Sequence, residues 1–289
     1  MIPAAFEYTR ATSLAEVLEA IGGGEQQTKL ICGGQTLVPL LRFRLAQPHR
    51  LLDIARLPEL RGITVTDDGI RIGAATTYRE LLASEPLREA VPLIAEVTEN
   101  IGDIQVRNLG TIGGALAHAD PSADMPAAML ALGARFHLQS ARAQRVVAAR
   151  EFFRGPLETA MEPDELLVAI ELEPLSDFTG AAYMTFEQAA SGYALVGAAA
   201  VVTRSPARGV TAASLAFTGL ADAPFLADVS SLIGTAGDEP SIARAAAEAV
   251  RGVQANADIH AGAEYRLQLA KVGARRALSA AIERAAAAT

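Results

Sequence analysis

Two glycine-rich segments, each joining an apolar run to a helix-like period, constrain this chain more than any other feature. The first is Cys32-Gly33-Gly34-Gln35-Thr36-Leu37. It follows the apolar run Lys29-Leu-Ile-Cys32 and precedes Leu37-Val-Pro-Leu-Leu41, an order that predicts strand, glycine turn and helix start. Consecutive glycines there let backbone N–H groups converge on one point, and a helix start adds positive dipole. A pyrophosphate can be held in that way without lysine; an ordinary tight turn is the alternative. The second segment is Asn108-Leu-Gly110-Thr111-Ile112-Gly113-Gly114-Ala115. Its glycines let a backbone lie flat against a ligand. Neither segment is a dinucleotide GxGxxG or a P-loop, and the chain contains neither pattern.

The surrounding sequence divides into three regions. Residues 1–57 read as a small α/β unit. Ser13-Leu-Ala-Glu16 predicts a capping box, Gly22-Gly23-Gly24 a helix end, and Leu51-Leu-Asp-Ile54 a second strand. Residues 58–175 open with a hairpin over Ile63–Ile72, turning at Asp67-Asp68-Gly69. Helices are expected over Tyr78–Leu82 and Val91–Ile101, and a loop of small residues over Gly102–Pro121. Asp124 is placed to cap a helix Met125–Leu132, with Gly133 past its end. Arg135–Gln139 and Leu166–Leu172 alternate as strands. Residues 176–289 change character: three strands (Gly180–Gln188, Tyr193–Val202, Val210–Phe217), then helices over Ser241–Val250 and from Tyr265 to the Ala-rich end. That pattern predicts an α+β chain ending in an antiparallel sheet with helices on one face.

Composition removes several classes of function. With 25 basic and 33 acidic residues the net charge is −8, the wrong sign for non-specific nucleic-acid binding. Only Lys29 and Lys271 are lysines. One cysteine, Cys32, permits no internal disulfide, no cysteine-rich zinc site and no iron–sulfur cluster, which takes about four ligands. His49, His118, His137 and His260 form no metal-binding pair. The longest apolar run, Ala194–Val202, falls short of the ~20 residues of a membrane span. The first residues lack a basic segment and an apolar core, so a soluble, reduced, cytoplasmic protein is expected. No GxSxG elbow or Cys–His nucleophile pair is evident, which leaves a borrowed cofactor as the source of chemistry.

Other polar residues keep two readings. Asp120 and Asp124 could serve as ligands or acid and base; an Asp-Pro turn for Asp120 and a helix cap for Asp124 are the simpler roles. His118 reads as a hydrogen-bonded loop residue. Arg107 could meet a phosphate or form an ion pair. Glu162-Pro-Asp-Glu165 reads as a solvated turn.

The two glycine segments and their surroundings closely resemble the FAD-binding medium subunits of the molybdenum hydroxylases, the xanthine dehydrogenase, carbon monoxide dehydrogenase and quinoline 2-oxidoreductase family. The first match is Cys32-Gly-Gly-Gln-Thr-Leu-Val-Pro-Leu-Leu-Arg-Phe-Arg-Leu45 followed by Leu-Leu-Asp-Ile54. The second is Gln105-Val-Arg-Asn-Leu-Gly-Thr-Ile-Gly-Gly-Ala-Leu-Ala-His-Ala-Asp-Pro-Ser-Ala-Asp124-Met-Pro126. Tyr265-Arg266-Leu-Gln-Leu-Ala-Lys-Val-Gly-Ala-Arg275-Arg276 is similar to that family's last helix. The resemblance implies a fold of the vanillyl-alcohol-oxidase type: two α/β subdomains and a C-terminal domain with a three-stranded antiparallel sheet. It implies noncovalent FAD between the subdomains, with Cys32, Gly33, Gly34, Gln35, Thr36 and Leu37 on one side and Thr111, Ile112, Gly113, Gly114 and Ala115 on the other. Asp124 would reach the ribityl hydroxyls, Leu167 would pack near the ring, and Tyr193 would stand beside it. No catalytic or metal-ligating residue is assigned to this chain. A small subunit with [2Fe–2S] clusters and a large molybdopterin subunit are the implied partners, in a dimer of heterotrimers. Arg42 and Arg44 are candidates to dock a partner or to pair with the chain's own acids.

The sequence departs from the family in places. Cys32 stands where alanine is usual, and is expected to be an inert thiol. Thr185 and Gly192 stand where a lysine and an aspartate are frequent. A cation near a flavin would raise its potential. The functional expectation is an electron-transfer subunit of a hydroxylase of N-heteroaromatic compounds or carbon monoxide. A stand-alone flavin oxidase is the alternative.

Overall fold

The protein is described by a computed structural model covering residues 2–23 and 28–287. Three main sheets follow one another along the chain, with one two-stranded pair besides. The first is parallel, with strands β1 (Glu7–Arg10), β2 (Thr28–Ile31) and β3 (Arg50–Asp53) in the order β1-β3-β2. Helices α1 (Leu14–Gly22) and α2 (Leu37–Arg42) connect them. Ser13 caps α1 as expected, but the other half of the capping box is displaced. The Glu16 carboxylate accepts from the Thr12 N–H and hydroxyl, one residue early. Gly23 ends the helix, and Gly24 lies outside the described residues. Strand β1 was not foreseen: three of its four residues are exposed, so it carries no apolar alternation. Its ladder to β3, with the contacts of Tyr8 and Arg10 to Asp53, holds it in place.

The core of this unit is not closed by its own residues. Val17, Leu18, Leu52 and Ile54 pack with Leu60, Ala75, Leu166 and Val168 from the next region. A unit so small exposes too much of its surface to stand alone.

The second region begins with the hairpin β4 (Ile63–Thr66) and β5 (Gly69–Gly73). Six helices follow: α3 (Tyr78–Ala83), α4 (Glu85–Ala90), α5 (Pro92–Asn100), α6 (Ile104–Leu109), α7 (Ile112–His118) and α8 (Asp124–Ala131). Then come β6 (Arg135–Gln139), β7 (Gln144–Ala148), α9 (Ala149–Phe152), the short pair β8 (Phe153–Gly155) and β9 (Glu158–Thr159), and β10 (Leu166–Leu172). The sheet is antiparallel in the order β4-β5-β10-β6-β7. The Glu162–Glu165 turn is not simply solvated. Its Glu165 carboxylate is nearly buried and takes a two-pronged ion pair from Arg145 at 2.6 and 2.7 Å, which holds it below the usual carboxylate range.

The third region forms the antiparallel sheet β11 (Thr179–Glu187), β12 (Ala194–Ser205) and β13 (Gly209–Thr218). A short β14 (Phe225–Ala227) extends its edge. Helices α10 (Glu239–Glu248) and α11 (Ala263–Ala287) cover one face. There Ala182, Ala198 and Ala200 meet Ala270, Ala274 and Ala277. On the opposite face Ala181, Tyr183, Ala199 and Ala216 join the core of the second region. A strand buried on both faces reads as an unbroken apolar run. That is why Ala194–Val202 shows no alternation. No helix among the described residues is long and apolar enough to cross a membrane.

Candidate cofactor-binding site

The first glycine segment leaves β2 and enters α2 through a turn that needs glycine at one position, Gly34, whose φ is +70°. At Gly33 the requirement is space. A Cβ there would overlap the Leu109 carbonyl oxygen and lie 2.9 Å from the Gly110 Cα. The two glycine segments, far apart in sequence, therefore touch. Among the described residues no acceptor meets the backbone N–H groups of Gly34, Gln35, Thr36 and Leu37. Helix α2 has six residues and Thr36 gives it no side-chain cap. The positive pole here is thus a cluster of open N–H donors rather than a long helix dipole. Cys32 is half-buried; burial raises its thiol pKa, against which the Thr111 hydroxyl acts, so the thiolate is disfavoured.

The segment 102–121, expected as a loop, contains α6 and α7. Two short polar side chains initiate them: Asp103 accepts from the Val106 N–H at 2.8 Å and Thr111 from the Gly114 N–H at 3.2 Å. Small residues disguise helices this short. The N–H groups of Ile112 and Gly113 are bonded to the carbonyls of Thr76 and Ala74, at 3.1 and 2.9 Å. A Cβ at Gly113 would come within 2.5 Å of Ala74. Gly114 differs. It is exposed, and a Cβ there would meet only Thr111 Oγ1, at 2.8 Å. Within the chain only that cap hydroxyl opposes a side chain here, and a group lying against the helix start would be a second reason for glycine.

Several polar readings resolve here. Arg107 pairs with no acid among the described residues. Its guanidinium caps the end of α5, donating to the carbonyls of Glu99, Ile101 and Gly102. Asp120 makes the expected turn, accepting from the Ser122 N–H at 2.9 Å. His118 sits half-buried in the last turn of α7. Arg44 donates to the Ile2 carbonyl at 3.3 Å, and neither Arg42 nor Arg44 is paired with an acid among the described residues. No group of three or more potential metal ligands is found among the described residues.

Asp124 does not cap its helix. Helix α8 starts at Asp124 itself, after Ala123, and no side chain caps it. The carboxylate is 6% exposed and accepts a 2.5 Å hydrogen bond from the Tyr183 hydroxyl on β11. Burial pushes its pKa up to about 7; Glu187 adds to the rise and the Tyr183 bond opposes it. Gly197 on β12 makes room, since a Cβ there would overlap the Tyr183 hydroxyl. Tyr78 and Tyr193 stand in the same electrostatic neighbourhood. Burial, then Asp124, raises the Tyr78 hydroxyl, and burial, then Asp120 and Asp124, raises that of Tyr193. Tyr193, 47% exposed, occupies the turn between β11 and β12. Tyr183 and Thr185 share one face of β11, and Thr185 Oγ1 is buried without a hydrogen-bond partner among the described residues. Gly192 takes φ +72°, which favours glycine and disfavours the aspartate frequent in the family. Leu167 is 3% exposed in the second core, at the bulge where β10 shifts register against β6.

Sequence reasoning missed Tyr78, Tyr183 and Glu187 as members of this cluster. The two-residue spacing of Tyr183, Thr185 and Glu187 on one strand was the available signal. The ensemble offers open backbone donors at one end and hydroxyl and carboxyl groups at the other. A bare glycine surface at Gly114 and an unpartnered buried hydroxyl at Thr185 belong to the same arrangement. It suits a cofactor with an anionic pyrophosphate and a polyhydroxyl chain, and FAD has both.

The comparisons place this arrangement among flavoproteins. Residues 4–174 match the family described as the FAD binding domain in molybdopterin dehydrogenase, and residues 181–281 match the CO dehydrogenase flavoprotein C-terminal domain. The carbon monoxide dehydrogenase medium chain of Afipia carboxidovorans is 38% identical over 287 residues, covering 99% of both chains. A carbon monoxide dehydrogenase structure from Hydrogenophaga pseudoflava superposes with a TM-score of 0.94 at 36% identity, over 98% of this chain and 99% of that one. Quinoline 2-oxidoreductase from Pseudomonas putida 86 gives 0.92 at 33% identity, over 99% of both chains. The class is that of α+β flavoproteins acting as oxidoreductase subunits. Within it, the chain belongs to the FAD-binding medium subunits of the carbon monoxide dehydrogenase type of molybdenum hydroxylase.

Proposed function

We propose that this chain is the electron-transfer subunit of a heterotrimeric molybdenum hydroxylase. It takes electrons from [2Fe–2S] clusters of a small partner subunit and passes them to an external acceptor. A large molybdopterin subunit hydroxylates the substrate, an N-heteroaromatic compound or carbon monoxide, and the assembly is a dimer of heterotrimers in the reducing cytoplasm. The observation that carries this reading is the full-length match to medium chains of multi-subunit dehydrogenases, in a chain whose lone cysteine cannot hold a cluster. The division into residues 1–57, 58–175 and 176–289 is part of the proposal; the three sheets support it.

Bound FAD supplies an acceptor and donor of one or two electrons. In our reading the chain's own residues bind it noncovalently. The N–H groups of Gly34 to Leu37 receive the anionic pyrophosphate, beside Cys32 and Gly33. Thr111 to Ala115 form the opposing wall, where Gly114 keeps the surface flat. Asp124 accepts from ribityl hydroxyls, Leu167 backs the ring from the core, and Tyr193 shields it from water. Thr185, in place of a lysine, leaves this end without a cation and favours a lower potential.

The test is reconstitution. The purified chain should bind one FAD, released intact by acid, and dithionite should reduce it. Hydroxylation should appear only when the iron–sulfur and molybdopterin subunits are added. Substrate turnover by the single chain, with no iron or molybdenum present, would refute the relay and support the stand-alone oxidase.

A further inference from the structure

Arg266, in the first turns of α11, is 3% exposed, and its charge is answered by a partner. One guanidinium nitrogen donates to the carbonyls of Leu195 and Gly219, at 2.5 and 2.8 Å. Another meets Asp258 Oδ2 at 2.6 Å. Asp258 in turn accepts the N–H groups of His260 and Ala261 through Oδ1 at 2.8 and 3.0 Å, which fixes it in a tight turn. The two carbonyls lie where the sheet leaves gaps. Leu195 is the extra residue of the β11–β12 bulge, between the pairs Phe186–Val196 and Glu187–Ala194. Gly219 lies just past the end of β13, with φ +74°. A bulge strands backbone groups and re-aims neighbouring side chains. Only a planar fork reaches two such carbonyls and a carboxylate together.

What these strand ends hold is the candidate site. Tyr193 lies two residues before Leu195. The Gly219 N–H donates to the Pro121 carbonyl at 2.7 Å, and the Thr218 hydroxyl donates to the carbonyls of Pro121 and Ala123. The Ala194 N–H reaches the Ser122 carbonyl at 3.4 Å. The segment leading into Asp124 is thus clamped by the two strand ends that Arg266 braces. We infer that Arg266, anchored by Asp258, is a positioning residue that sets Tyr193 and Asp124 together at the ring end of the site. This rests on the reading of the site as the FAD site.

The full chain is compared with Arg266→Lys, Asp258→Asn and Tyr193→Phe, after far-UV circular dichroism has established folding. In the cofactor-free proteins, amide exchange at Ala194 and Gly219 should rise by about tenfold in Arg266→Lys, the loss of one charged hydrogen bond, with the far end of α11 unchanged. FAD affinity should fall by about tenfold, and the visible circular dichroism of the bound flavin should change in the direction seen for Tyr193→Phe. Asp258→Asn, which keeps the turn acceptor and loses the charge, should shift each readout the same way by a smaller factor. It decides the matter if Arg266→Lys does not fold. Wild-type exchange rates, affinity and spectrum in both brace variants would overturn the inference. A wild-type chain that binds no FAD would instead overturn the reading of the site, and the exchange comparison would still judge the brace.

Discussion

The two ends of the candidate site are built from different materials. At the first glycine segment the recognition groups are backbone N–H donors, and the only titratable side chain is the disfavoured thiol of Cys32. Around Asp124 they are side chains: Asp124 itself, Tyr183 and Tyr78 are buried, and burial is the leading cause that shifts the ionisation of each. One end is fixed by steric fit and does not sense pH; the other is held by a hydrogen bond whose strength depends on a proton. The contrast shows that a neighbourhood of glycine and one of acid can serve one ligand by unrelated physics. It also means that substitutions at the two ends should fail differently.

The largest difference is expected at the side-chain end. Asp124 titrates near 7 in the folded chain, and an unfolded aspartate near about 4. Between those values the folded chain holds a proton that the unfolded one has lost. Stability from this group is present at low pH and is lost as pH rises toward 7. The span is on the order of 4 kcal/mol. In FAD-free protein, Asp124→Asn should cancel that slope, gaining on the wild type between pH 4.5 and 8 in urea denaturation. Parallel curves for the two proteins would remove the contrast.

At the backbone end Gly33→Ala drives a Cβ into the Leu109 carbonyl. A loss of about 3 kcal/mol is expected, at the upper end of overpacking costs, with no dependence on pH. A third substitution separates fit to the chain from fit to the ligand. Gly114→Val presses on the Thr111 hydroxyl that caps α7, so thermal stability should fall by about 1 kcal/mol, the worth of one cap, while FAD affinity falls by at least about tenfold, ~1.4 kcal/mol. Unchanged affinity in an FAD titration would withdraw Gly114 from the site. The smallest effect belongs to Cys32→Ala, a half-buried change at a position where the family usually carries alanine. It should cost below about 1 kcal/mol and leave FAD binding intact. Rapid thiol labelling of the wild type at pH 7 would contradict the inert thiol.

Much of this was legible in the chain. The hairpin at Asp67-Asp68-Gly69, the strands of the third region and the Ala-rich last helix carry local signals in turn chemistry and period. Helices α6 and α7 were not legible, because short helices stand on a single cap and the packing around it. Nor was β1, whose residues face solvent and form a strand only because β3 offers a parallel edge.

The sequence by itself determined the two glycine segments, the absence of a second cysteine, and the family to which their order belongs. These are properties of spacing and count, which no folding step can change. Only the tertiary structure decided what each member does. Gly33 and Gly113 are demanded by neighbours distant in sequence, and Gly114 within the chain only by the Thr111 cap of its own helix. Asp124, a helix cap by local reading, became the acceptor of a tyrosine from another sheet. Arg266 found two carbonyls that a bulge and a strand end had left open. Local sequence sets which backbone conformations are cheap. Which polar groups lose their water, and what replaces it, is settled only when distant segments are brought into contact.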